Sequence, residues 1–425
     1  MRTLLITGPG GSGRTTVAAA TALAAARAGT RVLLLGTDRT DTLGAVLGTP
    51  VGAAPVEVAE GLTARRVDAG EDFRADLAAL QDRAASALGL LGASRLDPEQ
   101  FGPLPGAEEL SVLRALRDAA LSRAYDLLVV DLPPAERALA LFALPEDLRR
   151  ALGRLLPPER QAARALRPVL GRLAGVPMPA EWLYGTAARW DTELAAVEAV
   201  LADRDTTVRL VAEPGPAGAE AVRTAGLGLA LRGLRTDVLV ADRVLPEDVG
   251  DGWLAGPVAQ QRKTLDEWRQ TYDVRPVAHL GRDPRGPDDL TALAVPGVPA
   301  APGASASAAS ASAASASGAS DATAGPAVAE WPVTGLPHSR ISSSGGTPTA
   351  DDGVLVWHIP LPGARREELD LIRHGDEIAV TAGPFRRTVP LPSVLRRCTV
   401  DGAALREGEL RIRFRPDPRL WPRTP

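Results

Sequence analysis

The chain has 425 residues, of which 45% are hydrophobic but only 4% aromatic, and its formal net charge is −4. That length exceeds what one compact core uses, so two or three domains are expected, filled by Leu, Val and Ala. The charge balance gives no electrostatic reason to expect nucleic acid or an anionic membrane as a partner. A single cysteine, Cys398, excludes an internal disulfide framework and a cysteine-based zinc site within one chain.

The N-terminal apolar run Leu4-Leu5-Ile6 meets Gly8 too soon to be a signal peptide. No stretch of about 18 uninterrupted apolar residues appears. The expectation is a soluble cytoplasmic protein. Lys263 is the single lysine, and arginine supplies every other basic side chain, which points to a high-GC genome and makes an arginine in place of lysine partly compositional.

In chain order, short apolar runs bounded by turn residues predict strands at Leu4–Ile6, Val32–Leu35, Leu127–Val130, Val208–Ala212, Val238–Ala241 and Val274–Ala278. Runs of this kind suit strands buried on both faces, and their alternation with helical stretches predicts an α/β domain around a parallel sheet over residues 1–297. Two Ala/Leu/Arg-rich intervals, about 52–124 and 139–205, break the rhythm and read as helices, forming an inserted helical subdomain. From Pro299 to about Pro326 the composition collapses to Ala, Ser, Gly and Thr, and a flexible linker is predicted over 298–350. Over 351–417 the period changes to two: Val354–Ile359, Glu377–Val380, Arg387–Val389 and Glu409–Phe414 predict an all-β sandwich, followed by a tail at 418–425.

The first strand runs straight into Gly8-Pro9-Gly10-Gly11-Ser12-Gly13-Arg14-Thr15-Thr16, and a helical pattern from Val17 to Ala28 follows. Strand, glycine loop and helix is the context in which successive backbone N–H groups and a helix N-terminus face one polyphosphate. Thr15 stands where a hydroxyl would hold Mg²⁺. A tight turn without ligand would not need so many glycines and paired threonines. Gly8, Gly10 and Gly13 also satisfy G-x-G-x-x-G, with Asp38 about where a ribose-binding acid would lie, so a dinucleotide-binding Rossmann protein is the alternative. That alternative leaves Thr15, Thr16 and Asp131 without a role. The blander readings are an ordinary polar strand end for Asp131 and a cap or turn former for Asp38.

The loop resembles the deviant phosphate-binding motif G-K-G-G-x-G-K-[ST]-[ST] of the ArsA/GET-pathway ATPases. Gly36-Thr37-Asp38-Arg39-Thr40-Asp41-Thr42-Leu43 is similar to that family's first switch, Val129-Val130-Asp131-Leu132-Pro133-Pro134 to its second, and Val240-Ala241-Asp242-Arg243-Val244-Leu245-Pro246 to a strand end near the adenine. The resemblance implies ATP and Mg²⁺ as cofactors: Gly8, Gly10, Gly11, Ser12, Gly13, Arg14, Thr15, Thr16 and Asp242 at the nucleotide, Thr15 and Asp131 at the metal, Asp38 orienting the attacking water and Arg14 on phosphate. It also implies a homodimer, or a heterodimer with an ArsA-like paralogue, and a possible protein client.

The departures are specific. Pro9 replaces the lysine that in this family reaches into the partner's site, Arg14 replaces the phosphate-loop lysine, Ala135-Glu136-Arg137 replaces Thr-Gly-His, and Asp242 replaces an adenine-reading asparagine. A guanidinium is larger and differently aimed than an ammonium, so slow or absent hydrolysis is expected, with a non-catalytic scaffold as the alternative. A soft thiolate site for arsenite and the zinc-bridging Cys-x-x-Cys are both missing. Met1 and Met178 are too few for a methionine-lined client groove, so the helices of the second interval are expected to pack on one another.

The C-terminal segment resembles the α-crystallin-like domain of small heat-shock proteins through Ile359-Pro360-Leu361-Pro362-Gly363, Thr388-Val389-Pro390-Leu391-Pro392 and Ala403–Leu410. Cys398 is expected as a buried packing residue, and His358 and His374 as packing or surface positions.

Overall fold

The computed structural model describes residues 1–83, 96–100, 102, 105–156, 179–248, 252–298, 331–336, 354–417 and 419–420. By contacts the chain divides into two units: Met1–Gly218 with Thr236–Pro326, and Ala219–Arg235 with Ala327–Pro425.

The first unit is built on an eight-stranded sheet of order β3-β4-β2-β5-β1-β6-β7-β8. Its strands are β1 (Arg2–Thr7), β2 (Val32–Gly36), β3 (Val56–Ala59), β4 (Leu62–Arg66), β5 (Leu127–Asp131), β6 (Thr206–Ala212), β7 (Thr236–Val244) and β8 (Val274–Ala278). Every pairing is parallel except β3 with β4. The six predicted strands are thus all present, and the apolar runs of the first five are buried, with Leu4, Leu34, Val129, Val211 and Val240 fully inside, whereas in β8, at the sheet's edge, only Val277 is buried. Helix α1 (Arg14–Arg27) covers one face with Val17, Ala18, Ala19 and Ala22, small side chains that let helix and sheet approach closely. It ends at Gly29, whose φ of 88° only glycine adopts without strain.

The other α-helices among the described residues are α2 (Thr42–Leu47), α3 (Ala69–Arg83), α4 (Ala107–Ser122), α5 (Ala135–Leu155), α6 (Pro179–Ala202), α7 (Pro216–Arg232), α8 (Ala255–Arg269) and α9 (Gly286–Ala292). Helices α5 and α6 pack on each other, and Arg149 of α5 donates to Asp191 at 2.8 Å and to Glu198 at 2.6 Å across the contact. The leucines expected further along this interval, Leu166, Leu170 and Leu173, lie outside the described residues.

Two expectations are corrected. The interval 52–124 is not wholly helical, because Val56-Glu57-Val58-Ala59 and Leu62-Thr63-Ala64-Arg65-Arg66 form β3 and β4 around Glu60-Gly61. A period of two was present there but was masked by the Ala/Leu/Arg composition of its surroundings. The span 298–350 is not linker throughout, because β9 (Val333–Leu336) pairs antiparallel with β10 (Val354–Pro360). Trp331 is buried there against Trp357, ring centroids 5.5 Å apart. One aromatic anchor outweighs the polar composition around it.

The second unit holds two antiparallel sheets, β14-β15-β10-β9 and β11-β12-β13, with β11 (Leu369–His374), β12 (Glu377–Ala382), β13 (Phe385–Pro390), β14 (Cys398–Arg406) and β15 (Glu409–Pro416). Trp357, Ile359, Val380, Ile412 and Phe414 fill the core together with Leu227 and Leu231 of α7. Cys398 is buried in it, its Sγ 3.4 Å from the Val394 carbonyl. His358 is a packing residue held by Thr334 and Glu409.

Strands β6 and β7 are tied by a fully buried ion pair. Arg209 donates to Asp237 Oδ2 at 2.7 and 3.2 Å and also to the carbonyls of Pro296 and Gly297. Removing one partner strands a charge in the core. Asp237→Ala should therefore cost about 3–5 kcal/mol, read from the urea midpoint of the first unfolding transition, whereas Arg209→Met with Asp237→Leu should recover most of the loss.

Candidate functional site

The C-terminal ends of β1, β2 and β5 meet at one point, since both Ile6 and Gly36 pair in register with Asp131. In parallel α/β sheets this edge is where ligands gather. Asp131 is fixed there through its backbone, its carbonyl accepting from the Thr37 hydroxyl at 2.7 Å. The following turn is latched to β1 by Thr7 Oγ1 on the Pro133 carbonyl at 2.8 Å, and to the glycine loop by the Ala135 N–H on the Gly8 carbonyl at 2.9 Å.

Two glycines of the loop are required by close approach. A Cβ on Gly8 would stand 1.9 Å from the Val211 carbonyl oxygen, and one on Gly13 would stand 2.0 Å from Asp242 Oδ2. Gly13 also has φ 83°, in the left-handed region. By contrast, a Cβ on Gly10 or Gly11 would meet nothing within 4 Å, so the loop's crest is open. Helix α1 starts directly after Gly13 with no side-chain cap and no acidic residue in its first turn. Its first N–H groups and positive dipole end are left for an anion.

Asp131 is buried at this mouth and its Oδ1 has no hydrogen-bond partner. Loss of water pushes its pKa up to about 7, with the nearby Asp38 charge adding to the rise, while the Thr15 hydroxyl and the Arg14 charge oppose it. An unpaired buried carboxylate oxygen beside a threonine hydroxyl is the donor chemistry a hard divalent cation such as Mg²⁺ takes. Ser12 Oγ is likewise buried without a partner. Asp38 accepts from the Thr42 hydroxyl at 3.0 Å. Arg14 donates from Nη1 to the Leu132 carbonyl, and its Nε is buried and unpartnered.

Thr16, Gly13 and Asp242 line a cavity of about 240 Å³ together with Arg243, His279 and Arg285. Burial raises the Asp242 pKa to about 6, against the backbone N–H and guanidinium of Arg243. The predicted residues therefore fall into two adjoining groups: Arg14, Thr15, Asp38 and Asp131 at the sheet edge, and Gly13, Thr16 and Asp242 at the cavity. Sequence reasoning gave no role to Arg243, His279 or Arg285. Their signal is weak, since only Arg243 lies in a motif and the other two follow β8 in an unremarkable loop.

Strand, open glycine loop, uncapped helix and a carboxylate at the neighbouring strand end define a P-loop-type α/β protein. Comparison with known sequences agrees. The anion-transporting ATPase family (ArsA) matches residues 1–285, and the HSP20-like domain found in ArsA matches residues 352–414. The chain belongs to the ArsA family, with the HSP20-like domain at its C-terminal side. It is 71% identical over 424 residues to the uncharacterized protein SCO2128 of Streptomyces coelicolor, covering 100% of both chains. Protein Rv2184c of Mycobacterium tuberculosis is 32% identical over 451 residues, with 99% of this chain and 97% of that protein covered. The putative arsenical pump-driving ATPase 1 of Aquifex aeolicus is 23% identical over 423 residues, covering 97% and 99%. No described helix is long and apolar enough to cross a membrane.

The raised Asp131 pKa has a sign that can be tested. A carboxyl that holds its proton more tightly folded than unfolded stabilises the fold at low pH. That contribution is lost as pH climbs from the ordinary value of 3.8 through about 7. In metal-free buffer, Asp131→Asn should match the wild-type melting temperature near pH 4 and exceed it at pH 8. Thermal scans across that range check the difference.

Proposed function

We propose that this chain is an ATP- and Mg²⁺-binding dimeric switch whose hydrolysis is slow or lost. The observation that carries the reading is the Asp131 carboxylate against the Thr15 hydroxyl at the mouth of an open glycine loop. The loop amides and the start of α1 hold the polyphosphate. Thr15 and Asp131 would hold the cation. Mg²⁺, when bound, neutralises phosphate charge and acts as a Lewis acid. Asp38 orients the attacking water from the end of β2.

Slow turnover follows from what Arg14 and Pro9 do. The Arg14 guanidinium commits a donor to the Leu132 carbonyl, and Pro9 brings no charge and no N–H to the loop. One lost transition-state donor costs about 10²–10³ in rate. Family membership supports a dimer as the working form, two copies closing and opening with the state of the nucleotide.

A second reading rests on Pro9. A heterodimer with a paralogue that keeps both loop lysines would carry the chemistry across a shared interface, leaving this chain as a non-catalytic scaffold that holds a protein client through its helical region or its HSP20-like domain.

The test is titration of the full chain with a fluorescent ATP analogue, with and without Mg²⁺, followed by phosphate release. Mg²⁺-dependent binding is expected, with turnover at least about 10²-fold below that of the Pro9→Lys/Arg14→Lys double variant and abolished by Asp38→Asn. Residual turnover untouched by Asp38→Asn would contradict the assigned roles.

A further inference from the structure

Strand β7 ends irregularly. Its register with β8 shifts between Ala241 and Val244, and within that bulge Arg243 adopts φ 56°. For a residue with a long side chain this left-handed conformation is unfavourable and is kept only where something else requires it. Along a regular strand, neighbouring side chains point to opposite faces. The bulge cancels that alternation, as bulges beside active sites do. Asp242 is brought against Gly13, with Oδ2 2.0 Å from where a Cβ would be. Arg243, the next residue, reaches the same loop, with Nη1 3.0 Å from the Gly11 carbonyl.

The rest of the guanidinium is uncommitted by strong contacts. A guanidinium has five N–H donors. Arg243 uses one on Gly11 and otherwise stands 3.9 Å from Glu213, with 41% of its side chain exposed. The other cations nearby are placed differently. Arg14 donates to the Leu132 carbonyl. Arg282 is held by Asp289 at 2.6 Å. Arg285 and His279 line the cavity. Arg243 alone of these is hydrogen-bonded to the open crest of the glycine loop.

We propose that Arg243 is a nucleotide-binding residue that supplies positive charge to the polyphosphate, and that the bulge at the end of β7 exists to aim it there. This deepens the nucleotide reading given above and rests on it. The role belongs to contact and not to shape: the guanidinium meets phosphate oxygens with charge-assisted hydrogen bonds, and the cavity beyond it takes the nucleoside.

The experiment uses the full chain and calorimetric titration with ATP, inorganic tripolyphosphate and adenosine, each with Mg²⁺. The variant Arg243→Gly removes the guanidinium and suits the left-handed backbone, so its melting temperature should equal or exceed that of the wild type. It should nevertheless bind ATP and tripolyphosphate about ten- to a hundredfold more weakly, the range for a lost hydrogen bond to a charged group, and lose less for adenosine than for either. Arg243→Lys should fall between. Tripolyphosphate binding unchanged in Arg243→Gly, or adenosine binding reduced as much as ATP, would overturn the assignment while leaving the site itself intact. Wild-type protein that binds neither ATP nor tripolyphosphate would remove the nucleotide reading and this proposal together.

Discussion

A carboxylate placed where water cannot reach it constrains everything around it. Asp131 closes β5 between β1 and β2, and the strands on either side pair with it in register. Its backbone is satisfied by Thr37, yet one side-chain oxygen has no partner. Burial of such a group is tolerated when a proton, a cation or a hydrogen-bond donor compensates it. The neutral form, favoured up to about pH 7, is one solution, and a bound divalent cation is the other. The loop, the segment that follows β2 and the start of α1 surround that carboxylate.

The loop's shape comes from contacts with strands distant in sequence. Gly8 is pressed on β6 at Val211, and Gly13 on β7 at Asp242. A side chain at Gly8 would push the loop off β6, and one at Gly13 would displace the Asp242 carboxylate. Gly10 and Gly11 have no such contact, and Gly11 in addition takes a φ of 78°, which favours glycine, so the crest stays open. The same four-glycine pattern thus combines two requirements: two glycines seat the loop on the sheet and two leave its crest bare.

This explains what was legible in the sequence. Buried parallel strands announce themselves as continuous apolar runs, and all six predicted ones exist. The strand-loop-helix at residues 4–28 is a local motif, so its geometry could be foreseen. Harder to see were β3 and β4, a short antiparallel pair whose alternation is diluted by arginines, and β9, stabilised by one tryptophan within a low-complexity span. Arg243 was beyond reach for another reason. Its aim depends on a bulge and a positive φ, and neither leaves a mark in an arginine-valine-leucine sequence. The sequence named Thr15 and Asp131 as a pair by resemblance, but the hydrogen bond between them and the lack of a partner for the carboxylate's Oδ1 depend on surroundings that only the fold assembles.

The division of the chain into units also follows packing more than sequence order. Composition places a break near residue 298, and the family matches stop at residue 285 and resume at 352. By contacts, however, the second unit takes in Ala219–Arg235, which lies between β6 and β7 in sequence. The reason is apolar area. Leu227 and Leu231 are buried in the same core as Trp331, Trp357 and Phe414, and Arg387 donates to the Leu231 carbonyl at 2.9 Å while its guanidinium lies 5.9 Å from the Trp331 ring. Arg223 adds hydrogen bonds to Gly363 and Glu368. A small sandwich has little interior of its own, and Leu227 and Leu231 add to it from a helix. The HSP20-like segment is therefore not a module that a cut in the low-complexity span would release whole, because part of its core is encoded more than a hundred residues earlier.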